Sequence, residues 1–148
     1  MDQLIREMVR QASAERAVIE LFVATDRRDW HRVRRLLADT VALDLSTAGG
    51  PQGAIAADDV VDSWRSGLAR LDAVHHQVGN LRTTIHGDDA HVACHGIVIH
   101  HRRTVTGRDT RTFVGTYDLG LLDSPRGWHV HTFRFQLRFT DGNPGLLD

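Results

Sequence analysis

Apolar residues recur every three or four positions through the first half of the chain and every second position through the rest. Leu4, Ile5, Met8, Val9 and Ala12 form one stripe, and Val18, Leu21, Phe22 and Thr25 continue it at helical spacing, so Gln3 to Thr25 reads as helix. Ser13 marks either a break or a new N-cap within it. Asp29 is placed to cap a second helix, in which Trp30, Val33, Leu36 and Leu37 share a face. Val41 to Leu45 alternates as a short strand, and Ser46 to Gly53, with three glycines and a proline, reads as a loop. Asp58 or Asp59 then caps a third helix with Val60, Val61, Trp64, Leu68 and Leu71 inward. Gly67 inside it costs stability unless something packs closely there.

From Val74 the period changes to two. His75 to His86, Ala90 to Arg102, Arg111 to Leu122 and Trp128 to Phe139 read as four long strands. They are separated by the turn Gly87-Asp88-Asp89, a polar connection from Thr104 to Asp109, and the turn Ser124-Pro125-Arg126-Gly127. Phe113, Tyr117, Leu119 and Leu121 fall on one face of the third. The expectation is an α+β fold in one domain, residues 1–148. It is helical up to about Leu71, interrupted only by the strand near Val41, with a curved antiparallel sheet after it. A long antiparallel sheet must curl or be covered on one face, and helices across a curled sheet enclose a mostly apolar pocket suited to a small molecule.

Composition narrows the partners. With 25% charged residues and a formal net charge of −1, the chain has no basic field for nucleic acid or an anionic membrane. The single cysteine, Cys94, excludes an internal disulfide and a cysteine-based metal site. Asp2, Arg6 and Glu7 interrupt any signal-like N-terminus, and no apolar run approaches the roughly 20 residues that span a bilayer, so a cytoplasmic protein is expected.

Ten histidines remain to be placed. His75 and His76 open the first long strand, so their side chains point to opposite faces and one must turn inward, where an imidazole needs a partner. Asp26, at the end of the first helix, is a candidate partner. A neutral imidazole is a suitable general base near neutral pH. The rival is a three-histidine metal site drawn from His75-His76, His100-His101 and His129-Val130-His131, in which His129 and His131 share a face. No metal-binding signature supports it, and no metal or cofactor is expected. A hydrolase reading would use Asp44 or Asp118 with Arg134 to activate water on an epoxide, although no spacing in the chain singles it out.

Several stretches carry a family resemblance: Phe22-Val23-Ala24-Thr25-Asp26-Arg27-Arg28-Asp29-Trp30, Leu37-Ala38-Asp39, His76-Gln77-Val78-Gly79-Asn80, Gly87-Asp88-Asp89-Ala90, Val114-Gly115-Thr116-Tyr117 and Gly127-Trp128. In this order they resemble the SnoaL-like branch of the nuclear transport factor 2-like superfamily, which implies its cone-shaped α+β fold. The superfamily hosts dehydratases, isomerases, cyclases, epoxide hydrolases and non-catalytic proteins. The pattern is most similar to the branch of scytalone dehydratase and bile acid dehydratase. That resemblance implies a cofactor-free lyase or isomerase acting on a small hydrophobic carbonyl compound, polyketide- or steroid-like. It places Asp26 and His76 in the pocket, with His95, His100 or His101 completing the group by protonating a leaving hydroxyl. His100 is the choice carried forward.

Phe22, Trp64, Tyr117 and Arg134 are the expected substrate contacts, although each aromatic residue also fits plain core packing. The family often has a tyrosine one turn before the aspartate, where this chain has Phe22. The alternative is a non-catalytic ligand-binding or dimerisation module. A homodimer through the sheet is expected, because Phe133 and Phe135 beside Val130 put apolar residues on both parities of the last strand.

Overall fold

The computed structural model describes residues 2–148. Helix α1 (Asp2–Asp26) is unbroken, and Ser13 neither interrupts nor caps it. Only the second apolar stripe is core. Ala14, Val18, Leu21, Phe22, Ala24 and Thr25 are buried, whereas Leu4, Ile5, Met8 and Val9 are 50–60% exposed. The helix stops in a Schellman arrangement. The Arg28 N–H donates to Thr25 O and the Asp29 N–H to Ala24 O, with Arg28 in the left-handed region at φ 58°. Its guanidinium donates to Leu71 O at 2.6 Å, a contact that helps hold a conformation usually left to glycine. Asp29 then caps α2 (Trp30–Leu36) by accepting from the Arg32 N–H. This double use ends one helix at Asp26 and starts the next within four residues.

Leu37, expected on α2, already has extended backbone and opens β1 (Leu37–Asp44). A short 3-10 turn (Ser46–Ala48) leads to β2 (Gln52–Ala56), which pairs antiparallel with β1 from Thr40↔Ala56 to Asp44↔Gln52. The loop reading through Gly53 and the expectation of a single strand in the helical half are thereby corrected. The β2 strand is an exposed edge held by main-chain pairing, so its side chains carry no alternation to read. Helix α3 (Ala57–Leu68) starts from Ala56 without a side-chain cap. Asp58 and Asp59 lie in its first turn, and Asp58 reaches Arg34 instead.

The long strands β3 (Ala73–His86), β4 (Asp89–His101), β5 (Thr110–Ser124) and β6 (Gly127–Gly142) form the expected antiparallel meander, and no helix interrupts His91 to Leu122. The six-stranded order is β2-β1-β6-β5-β4-β3, with one parallel pair, β1 beside β6, so the curved, unclosed sheet is mixed. Helices and sheet share one apolar core.

Three register shifts decide which side chains face that core, two in β6 (the one at Arg138 turns Phe139 outward) and one in β3. In β6, Leu121 pairs with Val130 and Gly120 with Thr132, leaving His131 as an extra residue. Val130 and Phe133 therefore point the same way despite opposite parity. With Phe135 they are buried at 0%, 5% and 6% exposure, not displayed on the outer face as expected. In β3, the register shifts between Gly79 and Arg82 around Asn80, which has φ 53°. The inward set changes there from Val74, His76 and Val78 to Leu81, Thr83 and Ile85. Among the described residues no helix is long and apolar enough to cross a membrane.

Candidate active site

The concave side of the sheet, the end of α1, the α3 helix and the chain's last residues enclose a cavity of about 540 Å³. Its wall is largely aromatic and aliphatic: Phe22, Trp64, Val98, Phe113, Tyr117, Phe133 and Phe135 all line it. Phe22 stands edge-on to Tyr117 at 4.8 Å and tilted to His76 at 5.4 Å, and Trp64 packs on Phe133 at 5.2 Å. The Tyr117 ring packs closely against Gly96 on the neighbouring strand. A Cβ there would sit 2.3 Å from the Tyr117 ring, so that position accepts only glycine without a shift. Gly67, in contrast, has no atom within 4 Å of a would-be Cβ and lines the cavity, so the expected close packing against it is absent.

Two histidines and a tyrosine bring polarity to this wall. His76 turns inward and His75 outward, as strand alternation requires. The His76 Nδ1 lies 2.6 Å from Asp26 Oδ1, and the same carboxylate accepts the His76 main-chain N–H at 2.9 Å to Oδ2 and 3.1 Å to Oδ1. Because the carboxylate can only accept, Nδ1 carries a proton, and in the neutral ring Nε2 is the atom that keeps its lone pair. Both side chains are mostly shielded, at 13% and 20% exposure.

Of the three candidates on the second long strand, β4 sends His100 to the cavity, while His95 stands exposed on the other face near Asn80 and His101 shares its parity. Burial first, then the neighbouring His76 and Arg111, push the His100 imidazole down to about 4. It is therefore neutral at pH 7 and offers a neutral ring N–H, not the ready acid expected for a leaving hydroxyl. Tyr117 is held in its protonated form, chiefly by burial and then by Cys94 and Asp26. Cys94 is buried, and its thiol is pushed up to about 12, so it supplies no thiolate nucleophile.

The remaining candidates lie elsewhere. Arg134 is on the outer face, where Nε sits 3.6 Å from Asp44 and the side chain is 48% exposed. Asp118 pairs in register with Arg134 and lies 3.1 Å from His91, on that same outer face. Arg134, Asp44 and Asp118 therefore sit together on the outer face and do not line the cavity, and Arg134 is not among the substrate contacts. The histidines named for a metal site are also dispersed. His129 contacts Ser124, His131 contacts Thr132 and Asp89, and among the described residues no three ligand side chains converge. Sequence reasoning did not foresee Ser63, Ala48, Gly49, Gly50 and Leu147 at the cavity. Leu147 belongs to a tail that showed no periodicity, and the glycines signalled only a loop.

A comparison with protein families matches residues 7–134 to the SnoaL-like domain. The chain belongs to that family. No curated protein matches it in sequence. Among solved structures, this SnoaL-like domain superimposes on Kfla4162 from Kribbella flavida with a TM-score of 0.86 at 20% identity, covering 91% of this chain and 95% of that one. A protein provisionally assigned as a scytalone dehydratase, from Novosphingobium aromaticivorans, gives 0.79 at 14% identity, covering 93% and 89%. The LinA-type3 hexachlorocyclohexane dehydrochlorinase of Novosphingobium barchaimii gives 0.75 at 15% identity, covering 95% and 94%. At these identities the likeness establishes the shared nuclear transport factor 2-like fold.

Proposed function

We propose that this SnoaL-like domain is a cofactor-independent lyase, most simply a dehydratase, acting on a neutral, largely apolar β-hydroxy carbonyl compound of polyketide or steroid type. One observation carries the reading: the Asp26–His76 pair fixes the tautomer that leaves Nε2 free, at the wall of an apolar cavity. In the reaction, His76 Nε2 removes the proton next to the carbonyl. The electron pair forms the carbon–carbon double bond, and the β-hydroxyl leaves with a proton returned from the His76 imidazolium, so that water is the only by-product. Asp26 stabilises the transient imidazolium. The neutral N–H of His100 and the hydroxyl of Tyr117 are the donors available for the carbonyl and hydroxyl oxygens.

A neutral substrate is supported by the wall, where among the described residues no arginine or lysine contributes to balance a carboxylate or phosphate. The dehydratase and dehydrochlorinase names carried by structural neighbours support the same general chemistry, elimination. The test is a panel of neutral β-hydroxy ketones followed for loss of water by absorbance of the conjugated product. Saturable binding without turnover of any member would make the domain a binding module.

We also infer a homodimer through the outer face. Ile97, Val114 and Phe139 stand in register across β4, β5 and β6, and Ile97 and Phe139 are 43% and 57% exposed. This row takes the place of Phe133 and Phe135 as the apolar surface to be covered.

A further inference from the structure

A second concavity lies apart from the catalytic cavity. It is formed by the middle of α1, the end of α2 with the start of β1, and the β5–β6 turn. It measures about 1110 Å³ and shares no residue with the cavity. Its lining includes the apolar Leu36 and Leu122, and it carries Arg16, Arg32, Arg34, Arg35 and Arg126 against Glu20 and Asp39. Five guanidiniums line it against two carboxylates, and Asp58 at its edge offsets one more, so two positive charges stay unbalanced in a chain whose formal net charge is −1.

The imbalance has a definite location. Arg32 lies 3.6 Å from Glu20, and Arg34 is shared by Asp39 at 3.1 Å and Asp58 at 2.8 Å. Arg16, Arg35 and Arg126 make no ion pair or side-chain hydrogen bond among the described residues, and each comes from a different element. Like charges gathered in a concavity repel one another unless an anion sits between them. All eighteen basic residues of the chain are arginines, whose planar forks match phosphate oxygens.

We propose that this groove binds a small organic phosphate, its phosphate held by Arg16, Arg35 and Arg126 and its apolar body resting on Leu36 and the 45% exposed Leu122. A phosphate is favoured over a carboxylate because three guanidiniums arriving from separate elements suit a tetrahedral group with several oxygens. A planar carboxylate is satisfied by one fork. A doubly charged phosphate monoester also balances more of the surplus charge. Nothing in this site draws on the His76 chemistry, so the two readings stand or fall separately.

The test is isothermal titration of the full chain with 1-naphthyl phosphate, with inorganic phosphate and 1-naphthol as the bare anion and the bare apolar body. The expected result is one saturable site for 1-naphthyl phosphate, weaker in high salt, and weaker still for inorganic phosphate. Arg35→Gln and Arg126→Gln should each lower the affinity about tenfold, the usual effect of removing one charge-assisted contact. Arg35→Lys, which keeps the charge but not the fork, should lose less than Arg35→Gln. All three substitutions are at exposed positions, and thermal melts at the wild-type temperature would show the fold intact. Absence of saturation at millimolar 1-naphthyl phosphate, or undiminished binding by an Arg16→Gln/Arg35→Gln/Arg126→Gln variant, overturns the proposal. So does sedimentation with phosphatidic acid vesicles when no soluble phosphate binds, which would assign the arginines to a lipid surface.

Discussion

Asp26 holds His76 at two places at once, through the ring Nδ1 at 2.6 Å and through the main-chain N–H at 2.9 Å. The second contact fixes where the strand begins relative to the helix end, and the first fixes the ring. Replacing His76 by Ala should therefore remove turnover and leave the fold, because the main-chain bond to Asp26 survives. Asp26→Asn should cost activity through the tautomer, since an amide can also donate to Nδ1 and so permit the wrong protonation. General-base catalysis is worth about 10²–10⁴-fold, and steady-state rates on a turned-over substrate should fall by that order in both variants. A His76→Ala enzyme running at the wild-type rate would remove His76 as the base.

Burial of His100 links stability to pH. Its folded value is depressed to about 4 from an ordinary 6.5, so between these values the unfolded chain binds the extra proton and the folded chain does not. Stability contributed by this neutral ring is full above about pH 6.5 and declines as pH falls towards 4, by at most about 3 kcal/mol. Urea unfolding at pH 7 and pH 4.5 should show a smaller decline for His100→Phe than for the wild type. Equal declines would mean the ring is not the titrating group.

Gly67 faces open cavity, so adding a side chain there should separate stability from binding. Gly67→Ala should raise stability by less than about 1 kcal/mol, the helix-interior difference between the two residues, because Gly67 lies in the last turn of α3. Gly67→Phe should fold and occupy the cavity, weakening any neutral cavity ligand by at least about tenfold. Thermal melts paired with ligand titration check both, and unaltered ligand affinity in Gly67→Phe would place the binding site elsewhere.

A charge in the outer apolar row should dissociate a sheet-to-sheet dimer. Phe139→Glu puts like charges face to face if the row packs near a two-fold axis, and Phe139 itself contributes nothing to the core. Light scattering should report a dimer mass for the wild type and a monomer mass for the variant. A monomeric wild type at working concentration would count against this interface.

Periodicity along the chain was sufficient for much of this fold. The 3.6-residue stripe of Val18, Leu21, Phe22 and Thr25, the Asp29 cap and the two-residue alternation from Val74 each reflect a local rule: side chains facing one side of an element must be apolar if that side is buried. The same rule sent one of His75 and His76 inward and kept Phe113 and Tyr117 together. It could not say which parity faces the cavity, so His100 was separated from His95 and His101 only when β4 took its register between β3 and β5. The His131 bulge reversed the parity of β6 with no mark in the sequence, which is why Phe133 and Phe135 were expected outside and are inside. Arg134 and Asp44, eligible for a pocket by residue type, are neighbours on the outer face through the parallel pairing of β1 with β6. Such a pairing joins segments far apart in the chain and leaves no local pattern. Asp26 and His76 are fifty residues apart, and their contact depends on α1 ending where Arg28 turns left-handed and β3 starting against it. Local patterns determined the elements and the residue types available for chemistry; the meeting of those residues was decided by long-range register, because hydrogen-bonded pairing between distant strands is set by the packing of the whole sheet.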